Sequence, residues 1–442
     1  MSAVMQNIEF QDAWLTGLLP QTTGLAGPPW LDVLRLEAAD RVNALHFPTM
    51  RDEDWRFSDF SLLRKTVFAT VEGAASGLTA ADIEHFVLPE AVASRLVFVD
   101  GVYAPQLSST AALPQGVIAG NLMQELTAHD GAVRTHLARQ AHFQSDVFAA
   151  LNTSHIRDGA LVLIAKDTVC PAPIHLLFIA TGGDAPQAIY PRCLIVAGPG
   201  SNCTLVEDYV ALGPGSYCTA AVTEITVEEN ASVQHTRLQR EARSAFHIGY
   251  GAVVLKRDSV YRANSLTFGA RLSRHDLRVV QNGEGARCTL NGLALMAGRQ
   301  LADTHTVIDH AVPNGKSEQL HKCIVDDGAH AVFNGKIFVR KDAQHTDAAQ
   351  QSRNLLLSSK GRVDAKPQLE IFADDVKCAH GATVSQLEAD EMFYLNSRGL
   401  DANAARDLLI YAFAEDIIDR IPVASLKRRL SEELSSRILE HA

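Results

Sequence analysis

From about His155 to Val376 the chain leaves no room for a helix between one strand-like segment and the next, and this limits its fold more than any other feature. Leu161-Val162-Leu163-Ile164-Ala165 is a continuous apolar run, and Leu266, Phe268, Ala270 and Leu272 alternate with other residues. Turn signals interrupt at short intervals: Gly198-Pro199-Gly200, Gly213-Pro214-Gly215, Asn282-Gly283, Asn314-Gly315 and Asn334-Gly335. Without crossover helices a βαβ architecture is excluded. A sandwich, a propeller and a β-helix all stay open, because no clean fixed-period repeat chooses among them.

The flanks read differently. Pro28 and Pro29 precede Trp30 to Leu36, whose apolar residues continue at helical spacing through Ala39 and Val42. Leu96 to Tyr103 reads as a hairpin turning at Asp100-Gly101, and a helical interlude runs from about Asn121 to Asn152. Near the C-terminus, Asp401 is the expected N-cap of a helix carrying Ala405, Leu408, Leu409, Ala412, Phe413 and Ile417 as one apolar stripe. Pro422 ends it, and Leu426 to Glu433 is amphipathic. The pattern predicts three parts: a mostly helical domain over 1–153 with a hairpin near 95–104, a strand domain over 154–376, and a helical domain over 377–442. A terminal domain of about 65 residues buries only a modest core, so it must dock on the strand domain or on another protein.

Composition narrows the function classes. With 47% hydrophobic and 21% charged residues, the chain of 442 residues is an ordinary globular protein with an ample core. Its net charge of -11 argues against general nucleic-acid binding. No apolar run is long enough for a membrane span, and the N-terminus does not read as a signal peptide. Seven dispersed cysteines (Cys170, Cys193, Cys203, Cys218, Cys288, Cys323 and Cys378) form no CxxC, as expected of reduced thiols in a cytoplasmic protein.

Common catalytic signatures are missing. Gly328 to Ile337 has the wrong spacing for a phosphate-binding loop, and Ile337 stands where a Ser or Thr is needed. Gly283-Glu284-Gly285 lacks a third glycine, and neither GxSxG nor HExxH occurs. Nothing here hydrolyses ATP by a recognisable device. Of 17 histidines, His305, His310, His321 and His330 lie close in sequence and read as hydrogen-bonded structural residues. Cys378-Ala379-His380 is the exception. A thiol and an imidazole one residue apart share a face if the backbone is extended, and that pair suits zinc, copper or iron–sulfur chemistry. The alternative is a plain turn after the last strand, closed by Gly381. Two ligands are too few for a closed site, so a partner chain would supply the others.

The segment around this pair resembles the SufB/SufD family, on its SufD side. The resemblance is carried by DTHTVIDH (Asp303 to His310), SEQLHKCIVDDGAHAVFNGKIFV (Ser317 to Val339), TDAAQQSRNLLLS (Thr346 to Ser358), KPQLEIFADDVKCAHGATVSQLEADEMFYLNSRGL (Lys366 to Leu400), ARDLLIYAF (Ala405 to Phe413) and PTMRDEDWRFSDFSLL (Pro48 to Leu63). Between about 64 and 250 the likeness is loose. No cysteine precedes Cys170, unlike many SufB-like chains, and Ala379 stands where the family usually has serine.

The resemblance implies a mainly β fold, a right-handed parallel β-helix between N- and C-terminal helical domains. It implies a non-catalytic scaffold subunit of an iron–sulfur cluster assembly complex with SufB and the ATPase SufC. His380 and Cys378 would then face a transient cluster at the SufB interface. SufC would dock on Ala405, Leu408, Leu409, Ala412 and Phe413. FAD is possible in such a complex, and the isolated chain, which carries no cofactor of its own, is expected to form a homodimer. Two rival expectations are a purely structural adaptor holding SufB and SufC with no cluster ligands of its own, and a free-standing metal protein using His305, His310 and His380.

Overall fold

The computed structural model describes residues 12–20, 26–71 and 77–440. The N-terminal residues read as lacking a signal peptide, 1–11, lie outside them. Strands from Arg192–Ala197 onward alternate between two sheets, each pairing in parallel with the strand two places away, while Ala160–Ile164 and Ile174–Ala180 pair in parallel with the first strands of the two stacks. The result is a β-solenoid of about eight turns flanked by helices at both chain ends. Of the three architectures open to the strand pattern, this is the β-helix. One turn per rung explains why no crossover helix fits.

Burial on both sheet faces shapes the sequence. Tyr217–Val227 is buried at every position, because one face looks into the lumen and the other lies under helices. On sheet one, which contains Ala160–Ile164, the outward residues Val222, Ile248, Tyr250 and Leu272 pack against Val42, Phe47, Phe60, Leu63 and Phe148. On sheet two, which contains Ile174–Ala180, the outward residues Val206, Leu238, Leu266, Leu293, Leu320, Ile324 and Leu355 pack against Ile410, Ala414, Ile417, Ile418, Leu426 and Leu430. The C-terminal helices Ala402–Ile418 and Ala424–Glu440 therefore dock within the chain, one of the two outcomes the composition left open.

The PTMRDEDWRFSDFSLL segment is a clasp on sheet one. The guanidinium of Arg274 lies 3.8 Å from the Trp55 ring centroid and donates to the Asp54 carbonyl at 2.8 Å and to Asp303 Oδ2 at 2.6 Å. Ser58 Oγ donates to the same carboxylate. The hairpin at Arg95 to Tyr103 forms as expected, with Asp100 and Gly101 both at positive φ.

Two sequence readings need correction. Asn334-Gly335 is not a turn but lies inside the strand His330–Val339. The glycine is there for clearance, since a Cβ would overlap the Gln350 side chain crossing the lumen. The strand region also runs past 376. Lys377–Ser385 is a full strand of sheet two, and the C-terminal helices begin only at Ala389–Ser397. Parallel pairing to Asp347–Leu356 extends the solenoid across the local turn signal at Gly381.

Candidate functional site at the open end of the solenoid

Each sheet ends on a strand with one neighbour. Arg362–Ile371 pairs only with His330–Val339, and Lys377–Ser385 only with Asp347–Leu356, among the described residues. Nothing in the described chain caps this end. Backbone groups of both terminal strands face outward along it, and Ile371, Phe372 and Val384, on or beside those strands, are exposed.

Cys378 and His380 sit on the final strand, not in a turn. Cys378 is in register with Ala348 and His380 with Gln350. Cys378 packs against Ile337, Val339, Ala343, Ala348 and Ala373, which fill the last turns of the lumen. Strand alternation puts His380 on that same inward face, about 6.6 Å further along. Cys378 is half-buried, whereas His380 is exposed at the mouth. Burial, and then the charge of Asp347, push the Cys378 thiol above its ordinary range, so it stays protonated at neutral pH until a metal or cation draws the proton off. A cleft of about 320 Å³ opens beside His380, lined also by Gln350, Ser352, Arg353 and Thr383 among others. The geometry offers a sulfur and a nitrogen donor at the rim. Among the described residues, no three His, Cys, Asp or Glu side chains gather into a group able to hold a metal ion. A closed site therefore requires donors from elsewhere.

The other candidate histidines are engaged inside the fold. His305 Nε2 lies 2.9 Å from Asp303, His310 Nε2 lies 2.9 Å from Ser317 Oγ, and His330 Nε2 lies 2.7 Å from Asp364. His321 stacks on Phe333 and its Nδ1 lies 3.5 Å from Cys323 Sγ. His305 and His310 are thus bound to partners of their own, away from His380 on a different sheet. All cysteines other than Cys378 are buried.

The C-terminal stripe divides between two faces. Ala405 is fully buried, so it faces the solenoid and offers no surface to a partner. Leu408 and Ala412 are exposed; Leu409 and Phe413 are half-buried. Ile410 and Ala414, not Leu408 and Ala412, carry the inward packing. Lys322 anchors the helix: its Nζ lies 2.8 Å from Asp416, donates to the Phe413 carbonyl at 2.9 Å and sits 4.6 Å from the Phe413 ring centroid.

Sequence reasoning missed the polar interior. The first turns of the lumen are apolar, with Leu96, Phe98, Val162, Ile164, Ile174 and Phe178. Further along come Glu207, His235, Arg237, Glu241 and His247, all inside. Burial opposes ionisation of Glu207, yet contact with His235, Arg237 and Tyr209 together pulls its carboxyl down to about 2. Their signal in the sequence was polar residues at every second position of strands with no exposed face.

Comparison with known proteins accords with this architecture. The family description "SUF system FeS cluster assembly, SufBD core domain" matches residues 178–413, and "SufBD protein N-terminal region" matches 26–176. An iron–sulfur cluster assembly SufBD family protein of Synechocystis sp. is 43% identical over 92% of this chain and 90% of its own length. The iron–sulfur cluster assembly protein SufD of Escherichia coli is 32% identical over 88% of this chain and 89% of its own. The chloroplastic protein ABCI7 of Arabidopsis thaliana is 32% identical over 89% of this chain and 83% of its own. With both regions matched in order along the chain, it belongs to the SufBD family of iron–sulfur cluster assembly proteins.

Proposed function

We propose that this chain is a non-catalytic scaffold subunit of the SufD type, completing an assembly site for a nascent iron–sulfur cluster together with a SufB-type partner. One observation carries the reading: Cys378 and His380 share the inward face of a terminal strand whose outer edge is unpaired among the described residues. A second polypeptide adding along that edge would cover both donors and bring the ligands that this chain lacks. The cluster is cargo here. Cys378 would accept a sulfane sulfur by attacking a donor's persulfide, with the donor's thiol leaving, or stand as a nearby thiolate once metal lowers its proton affinity, and His380 would supply imidazole nitrogen.

SufC is proposed to dock on the outward side of Ala402–Ile418, at Leu408 and Ala412 with the edges of Leu409 and Phe413. ATP turnover belongs to SufC in this reading. Its movement would reach the solenoid through the packed inner face of the same helix. An adaptor role without cluster ligands is the second reading, favoured by the presence of two donors and no third among the described residues.

His380→Ala in the purified three-protein complex separates the two. Scaffold action requires cluster yield to fall with SufC capture unchanged. A wild-type yield removes His380 from the site and leaves the adaptor.

A further inference from the structure

A file of side-chain amides runs inside the last turns of the lumen. Gln319 Nε2 donates to Thr306 Oγ1 at 2.8 Å, and Gln350 Nε2 donates to Gln319 Oε1 at 2.9 Å. Gln319 and Gln350 are register partners, and the next residue in their column is His380. Both amide donors point back toward preceding turns. The last acceptor, Gln350 Oε1, is buried and has no partner among the described residues.

Gln350 is 1% exposed and has little freedom to turn elsewhere. Across the lumen Gly335 leaves the space its amide crosses, and any Cβ there would overlap it. Register neighbours in a parallel pair stand about 4.8 Å apart with side chains on one face, the spacing at which stacked amides bond in ladders. A buried carbonyl oxygen without a donor is costly, so this ladder calls for an N–H on the following rung. An imidazole supplies one. Gln350 and His380 also line the same cleft. In the adjacent column, Ser317, Ala348 and Cys378, the residue before the thiol is alanine, which offers it no such partner.

We propose that Gln350 is a positioning residue for His380: its Oε1 accepts from one ring nitrogen, fixes the tautomer, and leaves the other nitrogen's lone pair free for metal. Metal-bound histidines commonly hold their second nitrogen this way. The tautomer stands on the ladder alone; use of the lone pair by a metal rests on the proposed function.

The test uses the full chain labelled with ¹⁵N-histidine, with the His380 signals identified by their loss in His380→Gln. One tautomer gives two well-separated ring-nitrogen shifts in the wild type at neutral pH. In Gln350→Leu, which keeps the shape and removes the acceptor, the two shifts should converge. In Gln350→Glu, which restores an acceptor, they should separate again. Averaged shifts in the wild type overturn the proposal without any variant, so a misfolded Gln350→Leu does not shield it. Separated shifts in a folded Gln350→Leu overturn it as well. In the complex, Gln350→Leu should lower cluster yield about 10-fold and Gln350→Glu should recover it. Normal yield in His380→Ala together with a fixed tautomer overturns the ligand reading and leaves the Gln350 contact standing.

Discussion

Burial of histidine without charge makes this fold sensitive to mild acid. His310 and His321 are held down to about 4 by burial, against an ordinary value of 6.5. The folded value is the lower one, so the unfolded chain takes up protons first as pH falls. Stability is level above about 6.5 and declines between there and 4, by roughly 3 kcal/mol for each such histidine. Urea midpoints measured from pH 7.5 to 4.5 should show this slope, and His321→Gln should make it shallower. Glu207 acts lower down, its contribution being lost as pH falls from the ordinary glutamate range of about 4.3 toward 2. Lumen glycines are equally exacting. At Gly292 a methyl would overlap the His321 ring, itself stacked on Phe333, so Gly292→Ala should lower stability by about 1–3 kcal/mol in the same titration. Residue chemistry of this kind was half legible. The common face of Cys378 and His380 follows from strand alternation alone, but Asn334-Gly335 carries a turn signature while serving as clearance for a residue 15 positions later.

The helix Ala402–Ile418 is the element with two duties, and its two faces predict opposite outcomes. Ile410 and Ile417 are buried against sheet two, so either changed to Ala should cost about 2–5 kcal/mol. Leu408 is 45% exposed. Leu408→Asp should shift stability by no more than about 0.5 kcal/mol while abolishing capture of a SufC-type partner. Capture at the wild-type level by that variant would move the docking surface elsewhere. The amphipathic stripe was visible in the sequence, but not its rotation. A helix with apolar residues around much of its circumference gives no periodic clue to which ones meet the sheet. Lys322, the residue that fixes the rotation, lies 91 positions from the carbonyl it binds.

On the scale of the whole molecule the solenoid is a stack with one unfinished end, and its two edges differ. In sheet one, the Arg362 and Phe372 N–H groups bond inward to Ala329 and Val339, so by alternation Pro367 sits where an N–H would face out. Proline there removes a donor and blunts that edge. In sheet two, the Lys377 N–H bonds to the Thr346 carbonyl, which leaves the N–H groups of Cys378, His380, Ala382 and Val384 facing out. Strand addition by a partner belongs on this second edge. Ala382→Pro should abolish association with a SufB-type chain in size-exclusion chromatography, while the melting temperature stays within a few degrees, because the ladder to Asp347–Leu356 is untouched. The absence of crossover helices was readable in the chain, but the stacking order was not, because the strand pattern left a sandwich, a propeller and a β-helix open; the unfinished end was hidden too, since local residues at 377–385 look like any turn.

The helical brace on sheet two grips outward residues from Val206 through Leu355, and the strand bearing Cys378 and His380 contributes none. Six rungs are therefore strapped together, while among the described residues the outermost one hangs on a single hydrogen-bonded ladder. A tug on the helices would shift the strapped rungs as one block relative to the rim strand, and parting that metal-facing lip from the body of the protein would uncover only the small apolar cluster of Ile337, Val339, Ala343, Ala348 and Ala373 behind Cys378.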